Sequence, residues 1–418
     1  MKKSTLIVGG GVIGLCSAYY AHERGHEVTL LERGAADHRG CSQGNAGYVS
    51  PSHFVPLSSP GMVGYGLRML PDPESPFSIR PSLDANLIQW AYRFMRACNP
   101  KHVENAAPLL RDLNMVSRAC YEEFDAKFGG EFGFTKRGLL NLCKTEEKLE
   151  HEIHTAEHGN RIGVTAEVLT PKQIAERDPN VTMDVLGGVY FPQDAHLIPQ
   201  RFVALLTEYL ISSGVRILYG AEATDWKTSR RGIEGVVTRG GTTFTAEEYV
   251  VAGGAWSPSI VRPLNMNLPL QAGKGYSMTL ANPRQHPSIP AILTEARVAV
   301  TPMGTTLRFA GTMEVMGTDL SINRNRVNGI IKSIPKYYPE FHPEDFTEEP
   351  VWSGLRPCSP DGLPYIGRTK RYPNLSLATG HSMLGLSMGP ITGKLIAEIL
   401  SDENPSLNIA ALSPDRYA

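Results

Sequence analysis

The chain has 418 residues with a formal net charge of -1, 41% hydrophobic residues and 20% charged residues. That length exceeds what one compact core holds, so two domains with interleaved segments are expected. A near-neutral charge, without a basic stripe interleaved with aromatics, gives no support for a phosphate-backbone partner, and no nucleic acid is expected.

Residues 4–8 (STLIV) read as a short buried strand. Gly9, Gly10, Gly11 and Gly14 turn the chain into a helix over 12–24, and Gly25 stands where a helix C-terminus ends. Residues 27–32 read as a second strand, and a strand–helix–strand opening of this kind implies a parallel α/β sheet. Lys2-Lys3 followed by apolar residues superficially suggests a signal peptide. The glycines interrupt the run and no small-residue cleavage site follows, so that reading is rejected. No stretch approaches the roughly 20 apolar residues that span a bilayer. A transmembrane segment is not expected, and peripheral membrane contact is left open.

Residues 35–80 are rich in Gly, Pro and Ser, and an irregular segment of that length is usually functional. From about 84 to 128 the pattern turns helical, with Leu87, Trp90, Ala91 and Phe94 on one face. Residues 145–160 predict an exposed helix. Residues 200–213 predict an amphipathic helix running to Gly214 and into a strand over 215–219. Strand-like runs at 233–238, 243–252, 275–281, 297–301 and 306–311 predict a mixed sheet, and 325–338 returns to helix. The tail predicts a strand over 375–378, a glycine-rich turn over 380–389 and a closing helix over 391–400. The last dozen residues are expected to be loosely held.

Six cysteines at 16, 41, 98, 120, 143 and 358 include no C-x-x-C pair and no zinc spacing, so they read as idle thiols in a reducing compartment. His151, His154 and His158 fall at helical spacing without a carboxylate partner and read as a solvated face; no metal is expected.

Four motifs carry chemistry. Gly9-x-Gly11-x-x-Gly14 follows a strand and opens a helix, and Glu32 ends the next strand. Gly9 permits the turn, Gly11 lets the backbone approach a pyrophosphate, and Gly14 lets helix and strand pack. The helix N-terminus faces the anion, and an acidic Glu32 suits ribose hydroxyls. The fingerprint does not separate NAD from FAD. The second motif, Ser42-Gln43-Gly44-Asn45-Ala46-Gly47, combines small residues that admit a flat ring with polar Ser42 and Asn45. Read alone it is more readily an Asn-Gly-rich surface turn. The third, Trp352 to Gly367, holds Arg356 between Leu355 and Pro357, suited to a bidentate carboxylate clamp or to a surface ion pair. The fourth, Thr379 to Pro390, feeds a second helix N-terminus through a glycine-rich turn, where reduced flavin would place negative charge or where a loop merely caps a helix.

In this order the motifs resemble the D-amino-acid oxidase-like flavoproteins, with the nearer likeness to the bacterial D-amino-acid dehydrogenase branch. VVAGGAWS (250–257), PLQAGKGYS (269–277) and VAVTPMGTTLRFAGTMEV (298–315) extend the resemblance over nearly the whole chain. It implies an α/β fold, with a Rossmann-like FAD-binding domain in pieces (1–80, 190–265 and 350–418). A second, mixed α+β substrate domain (81–189 and 266–349) would cover the flavin. It implies non-covalent FAD held by Gly9, Gly11, Val12, Ile13, Gly14, Glu32, Arg33, Ser42, Asn45, Ala46 and Gly47. Ala223 would lie by the adenine, Gly254 and Trp256 near the nucleotide, and Gly380, His381, Gly385, Leu386 and Ser387 along the flavin. Arg356 would clamp the substrate carboxylate, with Tyr276 and His53 on the pocket wall.

The activity implied is oxidative deamination of a small D-amino acid. The α-hydrogen leaves as hydride to flavin N5, and the imine hydrolyses to a keto acid and ammonia. The alternatives are a D-proline or D-hydroxyproline dehydrogenase, a glycine- or sarcosine-type oxidase producing peroxide, and an FAD-binding scaffold without turnover. The implied partners are a small amino-acid substrate and an electron acceptor such as a quinone or a partner protein. The expected location is cytoplasmic, open to peripheral attachment at the inner face of the membrane.

Overall fold

The opening strand, turn and helix show how the glycines act. In a computed structural model describing residues 2–38, 40–80 and 84–418, strand Ser4–Val8 leads through the glycines into helix Val12–Glu23. Gly9 has a φ of 117°, which disfavours a side chain, and a Cβ there would lie 2.7 Å from the Ala252 carbonyl carbon. A Cβ on Gly14 would overlap the Gly9 carbonyl oxygen. The helix ends at Gly25, whose N–H donates to the His22 carbonyl at 2.7 Å.

This unit sits in a six-stranded sheet. Its order is Tyr365–Arg368, Leu375–Thr379, Glu248–Val251, Ser4–Val8, Glu27–Leu31, Arg216–Leu218. All neighbours run parallel except the edge pair Tyr365–Arg368 and Leu375–Thr379. Helix Val12–Glu23 packs against the closing helix Gly389–Leu400, where Gly393 permits the approach: a Cβ there would lie 2.8 Å from Cys16 Cβ. Leu15, Cys16, Leu395 and Ile396 are fully buried between them. Each such side chain stabilises by about 1.5–3 kcal/mol.

A second, nine-stranded sheet is mixed. Its path runs Trp352–Cys358, Gln271–Leu280, Thr306–Val315, Val298–Met303, Ala291–Leu293, Leu139–Cys143, Gly187–Phe191, Glu167–Leu169, and Phe77–Ile79 pairs off this path with Thr306–Val315. At its heart Lys274 and Arg326 flank Glu314, at 3.6 and 3.3 Å. Burying a charge is costly unless it is paired, and here all three are paired. Arg326 Nη1 also donates to the carbonyls of Asp72 and Ser75, tying the irregular 72–75 segment onto this sheet. A three-stranded antiparallel sheet, Ala223–Ser229, Gly232–Thr238 and Thr243–Phe244, and a two-stranded antiparallel pair, Tyr48–Val49 with Ala195–His196, make up the remaining β structure among the described residues.

Several expectations change. The helical stretch over 84–128 is two helices, Ala85–Ala97 and Pro100–Lys127, because Pro100 cannot continue a helix and Asn99 caps the second one by accepting from His102 N–H at 2.9 Å. The run 243–252 is two strands in different sheets, Thr243–Phe244 and Glu248–Val251. The helix expected over 325–338 is Arg324–Ser333, followed by a single tight turn whose Pro335 lacks the N–H to extend it. Residues 35–80 contain helix Met62–Met69 and two short strands. The chain end is tied down, with Arg416 making a bidentate pair to Asp361 at 2.8 and 2.9 Å. Among the described residues, no helix is long and apolar enough to cross a membrane.

Candidate functional site

The two large sheets enclose a cavity of about 1210 Å³. That exceeds the roughly 300–1,000 Å³ of a site for one small ligand, leaving room for a dinucleotide and a substrate together.

One end of the wall is the first motif. Gly9, Gly11, Val12 and Ile13 face the cavity, and the helix opens there. Val12 N–H donates to Ser42 Oγ at 2.9 Å, so the second motif caps the helix of the first. Glu32 is held by two backbone amides, accepting from Gly10 N–H and Gly34 N–H, each at 2.7 Å. Beyond it the Arg33 guanidinium lies 3.5 Å from the centre of the Trp256 ring. Ala223 and Gly254 complete this end.

Asn45 and Ala46 line the middle of the cavity. Their loop is pinned to the nine-stranded sheet by Arg308, whose Nη1 donates to the Gln43 and Asn45 carbonyls at 3.1 and 2.7 Å. A Cβ on Gly44 would overlap the Trp352 ring. At the far end His381, Gly385, Leu386 and Ser387 line the wall. Helix Pro100–Lys127 holds this turn: Tyr121 Oη donates to the Leu386 carbonyl and Ser387 Oγ to Asn114 Oδ1, each at 2.6 Å. Two contacts staple the same turn to the third motif. Ser382 N–H donates to the Pro357 carbonyl at 2.8 Å, and Cys358 and His381 form an isolated antiparallel bridge.

Arg356 sits on the edge strand of the nine-stranded sheet and faces the cavity. Its Nη1 donates to the Thr312 carbonyl at 2.7 Å, and among the described residues no carboxylate pairs with it. Burial pulls its pKa below the usual arginine value, and the ionisable groups acting on it are the thiols of Cys41 and Cys358. Space for the guanidinium comes from Gly275, where a Cβ would lie 2.5 Å from Arg356 Cζ.

Tyr276 and His53 both line the cavity. The Tyr276 hydroxyl is already committed: it donates to Glu314 Oε2 and accepts from Asn323 N–H, each at 3.1 Å. His53 contacts Ser52 Oγ through Nδ1 at 3.1 Å, and burial pushes its pKa down to about 4. Three candidate glycines stand behind the wall and serve packing. Gly14 meets Gly9, Gly47 would place a Cβ 2.5 Å from the Leu197 carbonyl oxygen, and Gly380 one 2.7 Å from the Tyr365 ring. Among the neglected histidines, the His158 ring packs edge-on against Phe54.

With this geometry in view, residues 4–399 match the family described as DAO, FAD dependent oxidoreductase. The chain belongs to that family. FAD is the cofactor. The chain is 31% identical over 403 residues to a D-amino acid dehydrogenase of Helicobacter pylori, covering 96% of each chain. It is 32% identical over 418 residues to one from Xanthobacter autotrophicus, covering 99% of each. Among solved structures it resembles glycine oxidase from Geobacillus kaustophilus, with a TM-score of 0.79 and 22% identity over 100% of this chain and 99% of that one. It also resembles L-proline dehydrogenase from P. horikoshii, with a TM-score of 0.71 and 19% identity, covering 100% and 98%.

The cavity of this FAD-dependent oxidoreductase fits that group chemically. His381 Nδ1 is buried in its wall without a partner among the described residues, and it needs a polar neighbour that a flavin ring offers. Sequence reading missed Gly275, Thr312, Ser52 and Asp194. Gly275 lies inside the quoted PLQAGKGYS segment, so a glycine interrupting a strand was the available signal.

Proposed function

We infer that this flavoprotein oxidises a small D-amino acid at its α-carbon. Arg356 carries the reading, as a cation on the cavity wall with no protein carboxylate among the described residues and a glycine opposite that leaves it room. Such a guanidinium is matched to a bidentate carboxylate, and one is present in every α-amino acid. The D configuration is supported by the two dehydrogenases that align along almost the full chain.

Bound FAD supplies the two-electron acceptor for the α-hydrogen. Gly9, Gly11, Val12, Ile13 and the Ser42-capped helix N-terminus would hold its pyrophosphate. Glu32 would accept from ribose hydroxyls, with Arg33, Ala223, Gly254 and Trp256 around the adenine. Asn45 and Ala46 would meet the ring system, and His381, Gly385, Leu386 and Ser387 its pyrimidine edge. Burial pushes the Cys358 thiol up to about 11, so it is protonated and a poor nucleophile, which supports a non-covalent cofactor. Arg356 orients the substrate, and the enclosed wall keeps water from it.

The same reading assigns 1–80, 190–265 and 350–418 to the cofactor domain and 81–189 and 266–349 to the substrate domain. In its support, every strand of the six-stranded sheet falls in the first set. Phe77–Ile79 and Trp352–Cys358 cross into the nine-stranded sheet, and the second of these carries Arg356 to the substrate side. The reading includes a quinone or partner protein as electron acceptor.

The test is anaerobic bleaching of the purified flavoprotein by matched D- and L-amino acids, glycine, sarcosine, and the proline and hydroxyproline isomers. Bleaching by D-isomers is expected. Bleaching by glycine or sarcosine alone, with peroxide formed in air, would replace the reading by an oxidase. No bleaching with FAD bound would overturn it.

A further inference from the structure

One hydrogen-bonded chain in the cavity wall has a direction that packing does not require. Asp194 is fully buried. Its Oδ1 accepts Ser52 N–H at 3.0 Å and its Oδ2 accepts Ser52 Oγ–H at 2.6 Å. With the hydroxyl proton committed to the carboxylate, Ser52 Oγ meets His53 Nδ1 at 3.1 Å as an acceptor, so the ring nitrogen donates. The imidazole is thereby fixed in one tautomer, with the proton on Nδ1 and a lone pair on Nε2. Nε2 has no partner among the described residues, and His53 lines the cavity that Arg356 also faces. The loop is anchored at the flavin end: Ser50 N–H donates to Ser387 Oγ at 2.9 Å, within the turn that would line the pyrimidine edge.

We propose that His53 Nε2 accepts a hydrogen bond from the substrate amine, with Ser52 and Asp194 as positioning residues that keep that nitrogen unprotonated. The inference rests on the amino-acid reading of the site and deepens it. Arg356 holds the carboxylate and His53 the amine. With two substituents of the α-carbon fixed, which face presents its hydrogen to the flavin is decided by the wall. Burial keeps His53 neutral in the working pH range and so preserves the lone pair. It also pushes the Asp194 carboxyl up to about 7, so the arrangement is complete on the alkaline side of that value.

The experiment uses FAD-loaded full chains at about pH 8.5, where a carboxylate titrating near 7 is ionised. His53→Ala and Asp194→Asn are mixed anaerobically with the D-amino acid that bleaches the wild type fastest. They are also titrated with propionate, which has the carboxylate and no amine, read from the flavin spectrum. In Asp194→Asn the amide oxygen still accepts Ser52 N–H, but the amide nitrogen donates to Ser52 Oγ. The serine proton then turns to His53 Nδ1, the imidazole proton moves to Nε2, and the acceptor becomes a donor. Both variants are expected to reduce flavin about 100-fold more slowly, with propionate affinity and FAD content unchanged. Reduction at the wild-type rate would overturn the proposal, as would equal losses for the amine-bearing and amine-free ligands. If Asp194→Asn fails to retain FAD, His53→Ala and His53→Gln on the cavity wall decide. A wild-type flavin that no amino acid reduces would fail the function itself, and this inference with it.

Discussion

Gly275→Ala separates the placing of the Arg356 guanidinium from the stability of the fold. Gly275 pairs with Gly354 across the strands Gln271–Leu280 and Trp352–Cys358, and alanine fits its backbone, whose φ is not positive. A Cβ there would stand 2.5 Å from Arg356 Cζ, where ordinary contact begins at 3.4 Å. The atoms it meets are the far end of a flexible side chain, so the guanidinium retreats by about 1 Å while the sheet stays in place, and a displacement of that size costs about 100-fold in rate. That corresponds to about 2.7 kcal/mol of transition-state stabilisation. The assay is anaerobic flavin reduction by the preferred D-amino acid, giving kcat/KM, alongside Tm and FAD content. Loss of kcat/KM with both of the latter preserved is expected. A kcat/KM close to wild type would refute the argument, because the exact seat of the guanidinium would then be irrelevant.

Arg356→Lys keeps the charge and loses the fork, and it is expected to raise KM and lower kcat/KM by about 10- to 100-fold; steady-state kinetics showing no change would remove the clamp. Gly14→Ala drives a Cβ into the Gly9 carbonyl, backbone against side chain, and is expected to destabilise by about 3 kcal/mol or more and to release FAD; flavin retained at full stoichiometry after gel filtration would contradict it. His196 is buried and neutral, with its pKa pushed down to about 4 from 6.5. Below 6.5 the unfolded chain takes up a proton that the folded chain refuses, so stability is full above 6.5 and is lost as pH falls from there toward 4. His196→Gln is expected to flatten the dependence of Tm on pH in that window, and an unaltered slope would show that the ring does not titrate on unfolding.

The parts of the site legible in sequence are those whose chemistry is local. Gly9, Gly11 and Gly14 act on a turn they themselves form, and Glu32 binds the amide of Gly34 two residues on and that of Gly10 across the paired first strands. Arg356 is conspicuous because Pro357, which follows it, and Pro360 restrict the backbone. Relations between distant segments were not legible. Gly275 is explained only by a guanidinium from another strand, and Ser52 only by the carboxylate of Asp194. The run 243–252 contains no Gly or Pro to mark its division between two sheets, whereas Asn99-Pro100 marks the helix break plainly once side-chain capping is considered. Tyr276 is expected on the pocket wall, and it lines the cavity with its hydroxyl already held by the buried Glu314, a partner 38 residues away that sequence does not reveal.

The pair of contacts joining Pro357 and Cys358 to His381 and Ser382 has a bearing on how such a protein changes over generations. Because the strand that carries the proposed carboxylate clamp is fastened to the turn proposed to line the flavin, neither can drift without dragging the other. A descendant that alters its preferred amino acid has little freedom in this strand. Its latitude lies further along the same nine-stranded sheet, where Ile292, Thr294 and Ala299 face the same cavity from the strands Ala291–Leu293 and Val298–Met303 and the turn between them, with no such fastening to the glycine-rich turn. Divergence of substrate would be written on those strands, beside a backbone junction that stays fixed.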